Sequence, residues 1–164
     1  MIMETKNKDI EEYIIHRAEL SDFSLVKDIT TLTINEIYPH YYPKGAVDFF
    51  LSHHDDDHIS SDIQLGIVYL IYDHEHQALG TITIKDNNIN RLFVLPQYQG
   101  LGLGRILMDF AEKQIAQTYT ECRLDASLSA KGIYLHLGYK EIEYHTIITS
   151  NKDVLCYDVM VKCL

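Results

Sequence analysis

Three glycines at alternate positions, between an apolar run and an amphipathic helix, constrain this chain more than any other feature of its sequence. The apolar run ends at Pro96, and the glycines are Gly100, Gly102 and Gly104. The helix is predicted from an apolar stripe at spacings of three and four, formed by Leu103, Ile106, Leu107, Phe110, Ala111 and Ile115. Glycines let a backbone approach a phosphate closely, and the unpaired N–H groups at a helix start point at it. Residues 92–105 therefore predict a strand, an anion-binding loop and a helix, with a pyrophosphate as the expected ligand.

Other glycine-rich phosphate-binding loops fit this segment less well. The dinucleotide-binding pattern G-x-G-x-x-G fails because its third glycine would fall at Arg105 or at Leu107. The P-loop pattern fails because the chain has no Gly-Lys-Ser or Gly-Lys-Thr sequence. Asp125 lies about as far downstream as the acidic residue that binds ribose in a dinucleotide fold, so a nucleotide-binding protein of another fold stays open. A tight turn is the remaining interpretation, and three glycines exceed what a turn requires.

The composition is typical of one globular domain, which we assign to residues 1–164. Of the 164 residues, 46% are hydrophobic and 23% are charged. The net charge of −10 disfavours nucleic acid as a partner and favours a cationic small molecule or a basic peptide. No apolar run reaches the roughly 18 residues of a membrane helix. Residues 1–12 lack the apolar core of a signal peptide, and the three cysteines have no metal-like spacing, so a cytoplasmic location is expected.

Periodicity and turn residues predict an alternation of strands and helices along the whole chain. The predicted strands cover residues 12–17, 66–72, 79–85, 89–95, 122–126, 139–149 and 153–161. The predicted helices run from Ser21 or Asp22 to about Tyr38 and over residues 46–53, 103–115 and 129–137. This order predicts an α+β fold, a mixed sheet with one central βαβ unit.

Two blocks of the sequence resemble the GNAT superfamily of acyl-CoA N-acyltransferases. The first is Gln99-x-x-Gly102-x-Gly104, which is similar to the family's acyl-CoA-binding motif R/Q-x-x-G-x-G/A after a strand ending near V-x-P. The second, residues 125–139, is similar to the family's N-x-x-A-x-x-F-Y-x-x-x-G-F and lies at the right distance downstream. The resemblance implies a GNAT-like fold, a central, mostly antiparallel twisted sheet of about six to seven strands with flanking helices.

The resemblance also implies an activity, the transfer of an acetyl group from acetyl-CoA to a primary amine by direct attack. The residues that it assigns to the cosubstrate are Leu92, Val94, Gln99, Gly100, Leu101, Gly102, Gly104, Arg105, Ser127 and Tyr134. By the same resemblance, the strands at 89–95 and 122–126 splay to admit the thioester, and the pantetheine arm pairs with the strand edge. The Val94 N–H then faces the developing oxyanion, and Tyr134 donates a proton to the departing thiolate. The alternative for Tyr134 is an aromatic residue packed in the core.

Departures from the family pattern bear on the chemistry. Ser127 stands where asparagine is common, and Gln99 replaces the commoner arginine, which removes one positive charge near the phosphates. No carboxylate lies in residues 87–95, where many relatives place a general base, although an amine with a pKa of about 10.4 must lose a proton before it attacks. The missing carboxylate keeps a second hypothesis open, namely an acyl-CoA-binding sensor or regulatory module without turnover.

The acceptor pocket is assigned to the loop between the first two predicted helices. His40, Tyr41 and Tyr42 either line that pocket, with His40 as the base, or form an aromatic packing loop. The histidines and aspartates of residues 53–58 are compatible with a metal site, but a solvated helix end or loop is favoured, so no metal is expected. Small-molecule or peptide amines are the expected partners, without nucleic acid or membrane, and a homodimer through the last two strands stays open.

Overall fold

One seven-stranded sheet organises the part of the chain that the structure, a computed structural model, describes, which is residues 13–164. Its strands are β1 (Ile14–Arg17), β2 (Val68–Tyr72), β3 (Ala78–Lys85), β4 (Asn88–Val94), β5 (Glu121–Ala126), β6 (Lys140–Ile148) and β7 (Val154–Cys163). They lie in the order β1-β2-β3-β4-β5-β7-β6. The predicted fold class is confirmed. The start of the first predicted strand and the signal-peptide expectation for residues 1–12 lie outside the described residues.

The sheet is antiparallel except at its centre, where β4 and β5 run parallel. Parallel neighbours need a crossover connection, and a helix of residues Leu103–Ile115 supplies it. This is the predicted central βαβ unit, with the glycine loop between β4 and the helix. The spacing of the apolar residues changes there from a period of two residues, typical of a strand, to a period of 3.6 residues, typical of a helix. The unit can therefore be predicted from the sequence.

The helices of residues 13–164 are α1 (Phe23–Ile37), α2 (Lys44–His53), α3 (Asp56–Gln64), α4 (Leu103–Ile115) and α5 (Lys131–His136). The sequence analysis misses α3. It forms because the Asp55 carboxylate accepts the His58 N–H at 3.0 Å and so caps the first turn. Ile59 and Ile63, four residues apart, then bury one face. Within the described residues, no helix combines the length and the apolar character needed to cross a membrane.

Two apolar cores lie on opposite faces of the sheet, as the alternation of side chains along β2 requires. Leu70 packs with the core under α1, α2 and α3, where Ile34 is fully buried. Ile71, the next residue, belongs to the core under α4, where Leu107 is fully buried. Removing these side chains from water is the main favourable contribution to folding, at roughly 25 cal/mol per Å² of apolar surface.

Candidate active site

β4 and β5 separate soon after they begin, and a cavity of about 760 Å³ opens where they part. Their register pairs are Asn88 with Arg123 and Ile89 with Leu124, at the first residues of β4. Beyond these pairs the two strands run apart, so the sheet is interrupted at its parallel pair of strands. The cavity wall therefore includes residues of β4 and β5 together with the glycine loop, α2 and α5.

A β-bulge in β4 accounts for the separation of the strands. Thr83 of β3 pairs with Arg91, whereas the next residue, Ile84, pairs with Ile89. Asn90 is therefore an extra residue on β4. A bulge bends its strand and increases the local twist, which turns the rest of β4 away from β5.

Beyond the bulge, one edge of the β4 backbone faces the gap and is not paired with β5. Leu95 donates its N–H to the carbonyl of Leu79 at 2.9 Å, on the β3 side. Residues that bond to one neighbour alternate along an antiparallel strand, so the N–H groups of Leu92 and Val94 point to the other side, beside β5. Such an edge can pair with an extended ligand as it would with another strand.

The carbonyl of Val94 accepts a hydrogen bond from the side chain of Gln99, which donates from its amide Nε2 at 3.0 Å. The Thr33 hydroxyl of α1 lies 3.3 Å from the same carbonyl, but it donates its one proton at shorter range to the carbonyl of Ile29, at 2.7 Å. The side chain of Gln99 is thus bonded to the protein's own backbone. This bond fixes the peptide that joins Val94 to Leu95, which is next to the peptide that carries the Val94 N–H.

The glycine loop leaves open space at the start of α4. Gly100 and Gly102 have φ angles of +80° and +87°, which favour glycine, and Gly102 is the residue before the first turn of α4. No heavy atom lies within 4 Å of the Cβ that a side chain would place at Gly100, Gly102 or Gly104. The protein's own packing therefore does not require glycine at Gly104, and the open cradle fits the pyrophosphate of a coenzyme A.

Arg105 and Leu101, which are adjacent to these glycines in the sequence, differ in their position relative to the cavity. Arg105 lines the cavity, and its guanidinium is 68% exposed and 4.0 Å from the Asp109 carboxylate. Its positive charge is therefore available to phosphates. Leu101 is 59% exposed and is not among the cavity-lining residues of the described chain.

Tyr134 of α5 lies on the wall of the cavity that also contains Ser127. Its side chain is 8% exposed, and its hydroxyl forms no hydrogen bond with any residue in the described range 13–164. Burial, together with the nearby phenol of Tyr38, raises the pKa of Tyr134 well above its usual value. The phenol is therefore protonated at neutral pH. It can donate to a ligand because no protein acceptor among the described residues competes for its proton.

The structure does not bring the predicted acceptor residues His40, Tyr41 and Tyr42 to the cavity wall. Tyr42 is buried, donates its hydroxyl to the carbonyl of Cys156 at 3.1 Å and accepts the Leu128 N–H at 2.8 Å. Tyr41 is half exposed, and His40 is exposed at the surface of the same turn. This geometry favours the packing-loop interpretation of the segment.

Other side chains, which the sequence analysis does not assign to a pocket, form the wall away from the glycine loop. They are Tyr38, Phe49, Phe50, His53, His54, His58, Asn90, Asp125 and Tyr157. The histidines belong to the run weighed above as a metal site. The sequence does contain an indication that these histidines line a pocket, because their run closely follows the apolar Phe49-Phe50 pair of a predicted helix. Within residues 13–164, however, no group of three or more His, Cys, Asp and Glu side chains could hold a metal ion.

His54 is a neutral member of this wall. Burial lowers its pKa to about 3, and the positive charge of Arg91 contributes in the same direction. Its ring packs edge-on against Phe93, with 5.6 Å between the ring centroids. Its Nδ1 atom is buried and has no hydrogen-bond partner among residues 13–164. His54 therefore accepts hydrogen bonds at neutral pH but cannot retain a proton taken from an amine.

Arg91 is a buried cation in the same wall, and its charge is compensated. Its guanidinium, 3% exposed, donates to the Asp62 carboxylate of α3 at 3.1 Å and to the Thr83 hydroxyl at 2.9 Å. The ion pair fixes α3 against the bulged part of β4. It leaves the acceptor side of the cavity without a free positive charge from Arg91.

The sequence and the fold are both similar to those of known acetyltransferases. The acetyltransferase (GNAT) domain family matches residues 37–148. An N-alpha-acetyltransferase from Sulfurisphaera tokodaii is 28% identical over 146 residues, which cover 81% of this chain and 83% of that protein.

Solved structures support the likeness at the level of the fold. A GCN5-related N-acetyltransferase from Rhodopseudomonas palustris superimposes with a TM-score of 0.85 at 19% identity, over 94% of this chain and 98% of that one. The PaiA N-acetyltransferase from Thermoplasma acidophilum, solved in complex with coenzyme A, gives a TM-score of 0.68 at 16% identity, over 93% and 99% of the two chains.

Proposed function

This chain belongs to the acetyltransferase (GNAT) domain family, and on that premise we propose that residues 1–164 form one domain that passes the acetyl group of acetyl-CoA directly to a primary amine. That it is an acetyl-CoA-dependent N-acetyltransferase follows from the family and from its N-alpha-acetyltransferase relative. The observation that carries the proposed mechanism is the gap between β4 and β5. Val94 and Tyr134 both line the cavity that opens in this gap.

The cosubstrate binds along the β4 edge and the glycine loop. The loop amides at the start of α4 and the charge of Arg105 hold the pyrophosphate, since unpaired N–H groups and the helix dipole both favour an anion there. The free backbone edge of Leu92 and Val94 pairs with the extended pantetheine arm. The complex of the Thermoplasma acidophilum PaiA protein with coenzyme A supports this assignment, because the two folds superimpose.

The chemistry needs an oxyanion donor and a proton donor. The Val94 N–H, which belongs to the peptide next to the one that Gln99 fixes, stabilises the negative charge that develops on the thioester oxygen. Tyr134 donates its proton to the departing thiolate, a role that its protonated state and unpaired hydroxyl support. Direct attack fits the position of Cys122, which is fully buried outside the cavity wall and whose pKa is raised by burial.

The acceptor is a primary amine of a small molecule or of a peptide. The net charge of −10 favours a cationic acceptor, since it raises the local concentration of cations. The N-alpha-acetyltransferase of Sulfurisphaera tokodaii supports a peptide α-amino group as one member of this class. The aromatic wall of Tyr38, Phe49 and Phe50 suits an acceptor with an apolar part.

Calorimetric titration with acetyl-CoA, with NADH and ATP as controls, tests the cosubstrate. Micromolar binding of acetyl-CoA alone is the expected result, and equal or tighter binding of NADH or ATP would contradict it. A turnover panel of spermidine, a C-terminally amidated tetrapeptide with a free amino terminus, and alanine then tests the acceptor class. Transfer above the uncatalysed rate to the two cationic probes is expected, whereas preference for neutral alanine would refute the electrostatic argument.

A second function is favoured by one observation, the lack of a carboxylate on β4. Under this hypothesis the chain binds acyl-CoA as a sensor and does not turn it over. Acetyl-CoA binding without transfer to any acceptor of the panel would support it. The Tyr134→Phe variant distinguishes the two further, because only an enzyme loses turnover when the proton donor is removed.

A further inference from the structure

We propose that Asp125 binds the ammonium group of the acceptor and takes its proton, so that the general base lies on β5 and not on β4. The inference rests on the proposed function, because it names the residue that prepares the amine for attack. It accounts for the need noted above, since an alkyl ammonium with a pKa of about 10.4 carries no free electron pair at neutral pH.

The position of Asp125 in the sheet is the first argument. Leu124 is the last β5 residue that pairs with β4, opposite Ile89, and Asp125 follows it. Asp125 is thus the first residue of β5 beyond the point where the strands part. On the other edge of β5 the sheet continues with β7, and Asp125 pairs there with Val159. A carboxylate here lies at the entrance to the gap that the thioester enters.

The face of Asp125 is the second argument. Cys122, Leu124 and Ala126 are buried in the core under α4, so by alternation the side chain of Asp125 points to the other face. That face carries α2, whose last residue, His53, is near enough to influence the charge of Asp125. Asp125 therefore faces the wall formed by the aromatic and histidine side chains of α2.

The charge of the cavity is the third argument. Asp125 is the only Asp or Glu among the cavity-lining residues of the described chain. The two lining arginines do not neutralise it, since Arg91 is paired with Asp62 and Arg105 lies in the first turn of α4, beside the glycine loop. An ammonium that enters the acceptor side thus finds one anionic group, and a carboxylate accepts its N–H bonds.

The groups packed around Asp125 set its affinity for a proton. Desolvation raises the pKa of Asp125 above the usual aspartate value and is the largest effect. Arg123 of the same strand, His145 of β6 and His53 of α2 act in the opposite direction, and Glu143 of β6 acts with the desolvation. Burial raises the pKa of the Tyr157 phenol of β7, and the nearby carboxylates of Asp125 and Glu143 contribute in the same direction. Asp125 is itself an exposed residue of β5, so an acceptor can reach its carboxylate, and the raised pKa makes it a better base than an unperturbed aspartate.

The step balances without a further reagent. One N–H proton of the ammonium passes to a carboxylate oxygen of Asp125, and the nitrogen electron pair becomes available. That pair forms the C–N bond to the acetyl carbon while the C–S bond breaks, and its electrons stay on sulfur. The thiolate takes the Tyr134 proton, and the second proton of the newly bonded nitrogen passes to the Tyr134 oxygen, so the products are the neutral amide and free coenzyme A. Tyr134 is thereby restored, and Asp125 returns to its starting state by releasing the first proton to solvent, which is the one proton that the overall reaction liberates.

The test compares Asp125→Asn with Glu121→Gln, which removes one carboxylate from the same strand outside the cavity wall. Acetyl-CoA affinity is measured by calorimetry, and kcat and KM are measured from pH 6 to pH 10 with the better of spermidine and the tetrapeptide. Asp125→Asn is expected to bind acetyl-CoA as the parent does and to lose about 100-fold or more in kcat at pH 7. The loss is expected to shrink towards pH 10, where the amine is already unprotonated. Glu121→Gln is expected to stay within about twofold of the parent at every pH.

Each other outcome overturns the inference. A kcat at pH 7 within about threefold of the parent means that Asp125 is not the base. An equal loss at all pH values, or lost acetyl-CoA binding, assigns Asp125 a structural role instead. Asp125→Glu keeps the carboxylate and is expected to retain more activity than Asp125→Asn, which a purely steric role would not give. If the parent binds acetyl-CoA but acetylates no probe, the proposed function fails and this inference falls with it, a result distinct from an active parent with an active Asp125→Asn.

Discussion

Leu128 donates its backbone N–H to the phenol oxygen of Tyr42 at 2.8 Å, across 86 residues of sequence. The same phenol donates to the carbonyl of Cys156 on β7. Tyr42 thus joins the loop before α2 to the loop that carries Ser127 at the cavity. The sequence leaves Tyr42 either as a pocket residue or as part of an aromatic packing loop, and these two bonds favour packing beside the cosubstrate side of the cavity.

The Tyr42→Phe variant is expected to unfold about 1–3 kcal/mol more easily, because it leaves a partly buried N–H and a partly buried carbonyl without their partner. Acetyl-CoA should also bind more weakly, since the Ser127 loop loses its anchor. Urea denaturation and calorimetry measure the two effects. Tyr41→Phe is the matched control, as Tyr41 is half exposed, and equal losses in both variants would contradict the anchoring role.

Gly104→Ala is expected to separate stability from binding. Gly104 is the second residue of α4, its φ is not in the left-handed region, and no atom would contact an added Cβ. Alanine should therefore stabilise the protein by about 0.5 kcal/mol through the unfolded state. The same methyl group would fill the anion cradle, so we expect acetyl-CoA affinity to fall by about tenfold or more.

Gly132→Ala provides the control for that prediction. Gly132 is the second residue of α5, also without a neighbour at its Cβ, and it is not among the described cavity-lining residues. A similar gain in stability without loss of acetyl-CoA affinity is expected. If Gly104→Ala binds acetyl-CoA like the parent, the phosphates do not approach the backbone there.

His54 should make stability depend on pH below neutrality. Its pKa is about 3 in the folded protein against 6.5 for an unperturbed histidine, so the unfolded chain binds the extra proton first. As pH falls below about 6.5, the free energy of unfolding should drop by up to about 1.4 kcal/mol per pH unit from this group. Between pH 6.5 and pH 5 the His54 contribution is about 2 kcal/mol, and His54→Leu should remove it.

Denaturation by urea at several pH values measures this dependence. His40→Gln, which removes an exposed histidine, is the control for the loss of one imidazole. The prediction fails if His54→Leu and the parent lose stability in parallel as the solution is acidified.

The Asp62–Arg91 ion pair should be a strong stabilising contact, because Arg91 is 3% exposed. Asp62→Asn leaves this guanidinium buried beside a neutral partner and is expected to cost about 3 kcal/mol. Asp56→Asn, on the same helix, breaks an exposed pair with Lys27 and should cost at most about 1 kcal/mol. Thermal or urea unfolding compares the two, and equal losses would show that the Arg91 charge is not dependent on Asp62.

Several features of the fold are not predicted by the sequence, for identifiable physical reasons. α3 lacks a recognisable apolar stripe, because its residues are polar at both ends and its two buried isoleucines, Ile59 and Ile63, span a single turn. The bulge at Asn90 has no local signature, since it depends on how β4 pairs with β3. The role of Tyr42 depends on partners 86 and 114 residues away, which no local pattern encodes.

The sequence by itself determined the strand–glycine–helix unit of residues 92–115, the order of the strands and of the helices other than α3 around it, and the family to which they point. These are local properties, because periodicity and the φ > 0 tolerance of Gly100 and Gly102 act within a few residues of the chain. Only the tertiary structure decided which side chains line the acceptor wall. His53 and Asp125 are 72 positions apart, and burial, register and a bulge bring them to one cavity, because side-chain neighbours across a sheet are set by pairing and not by spacing along the chain.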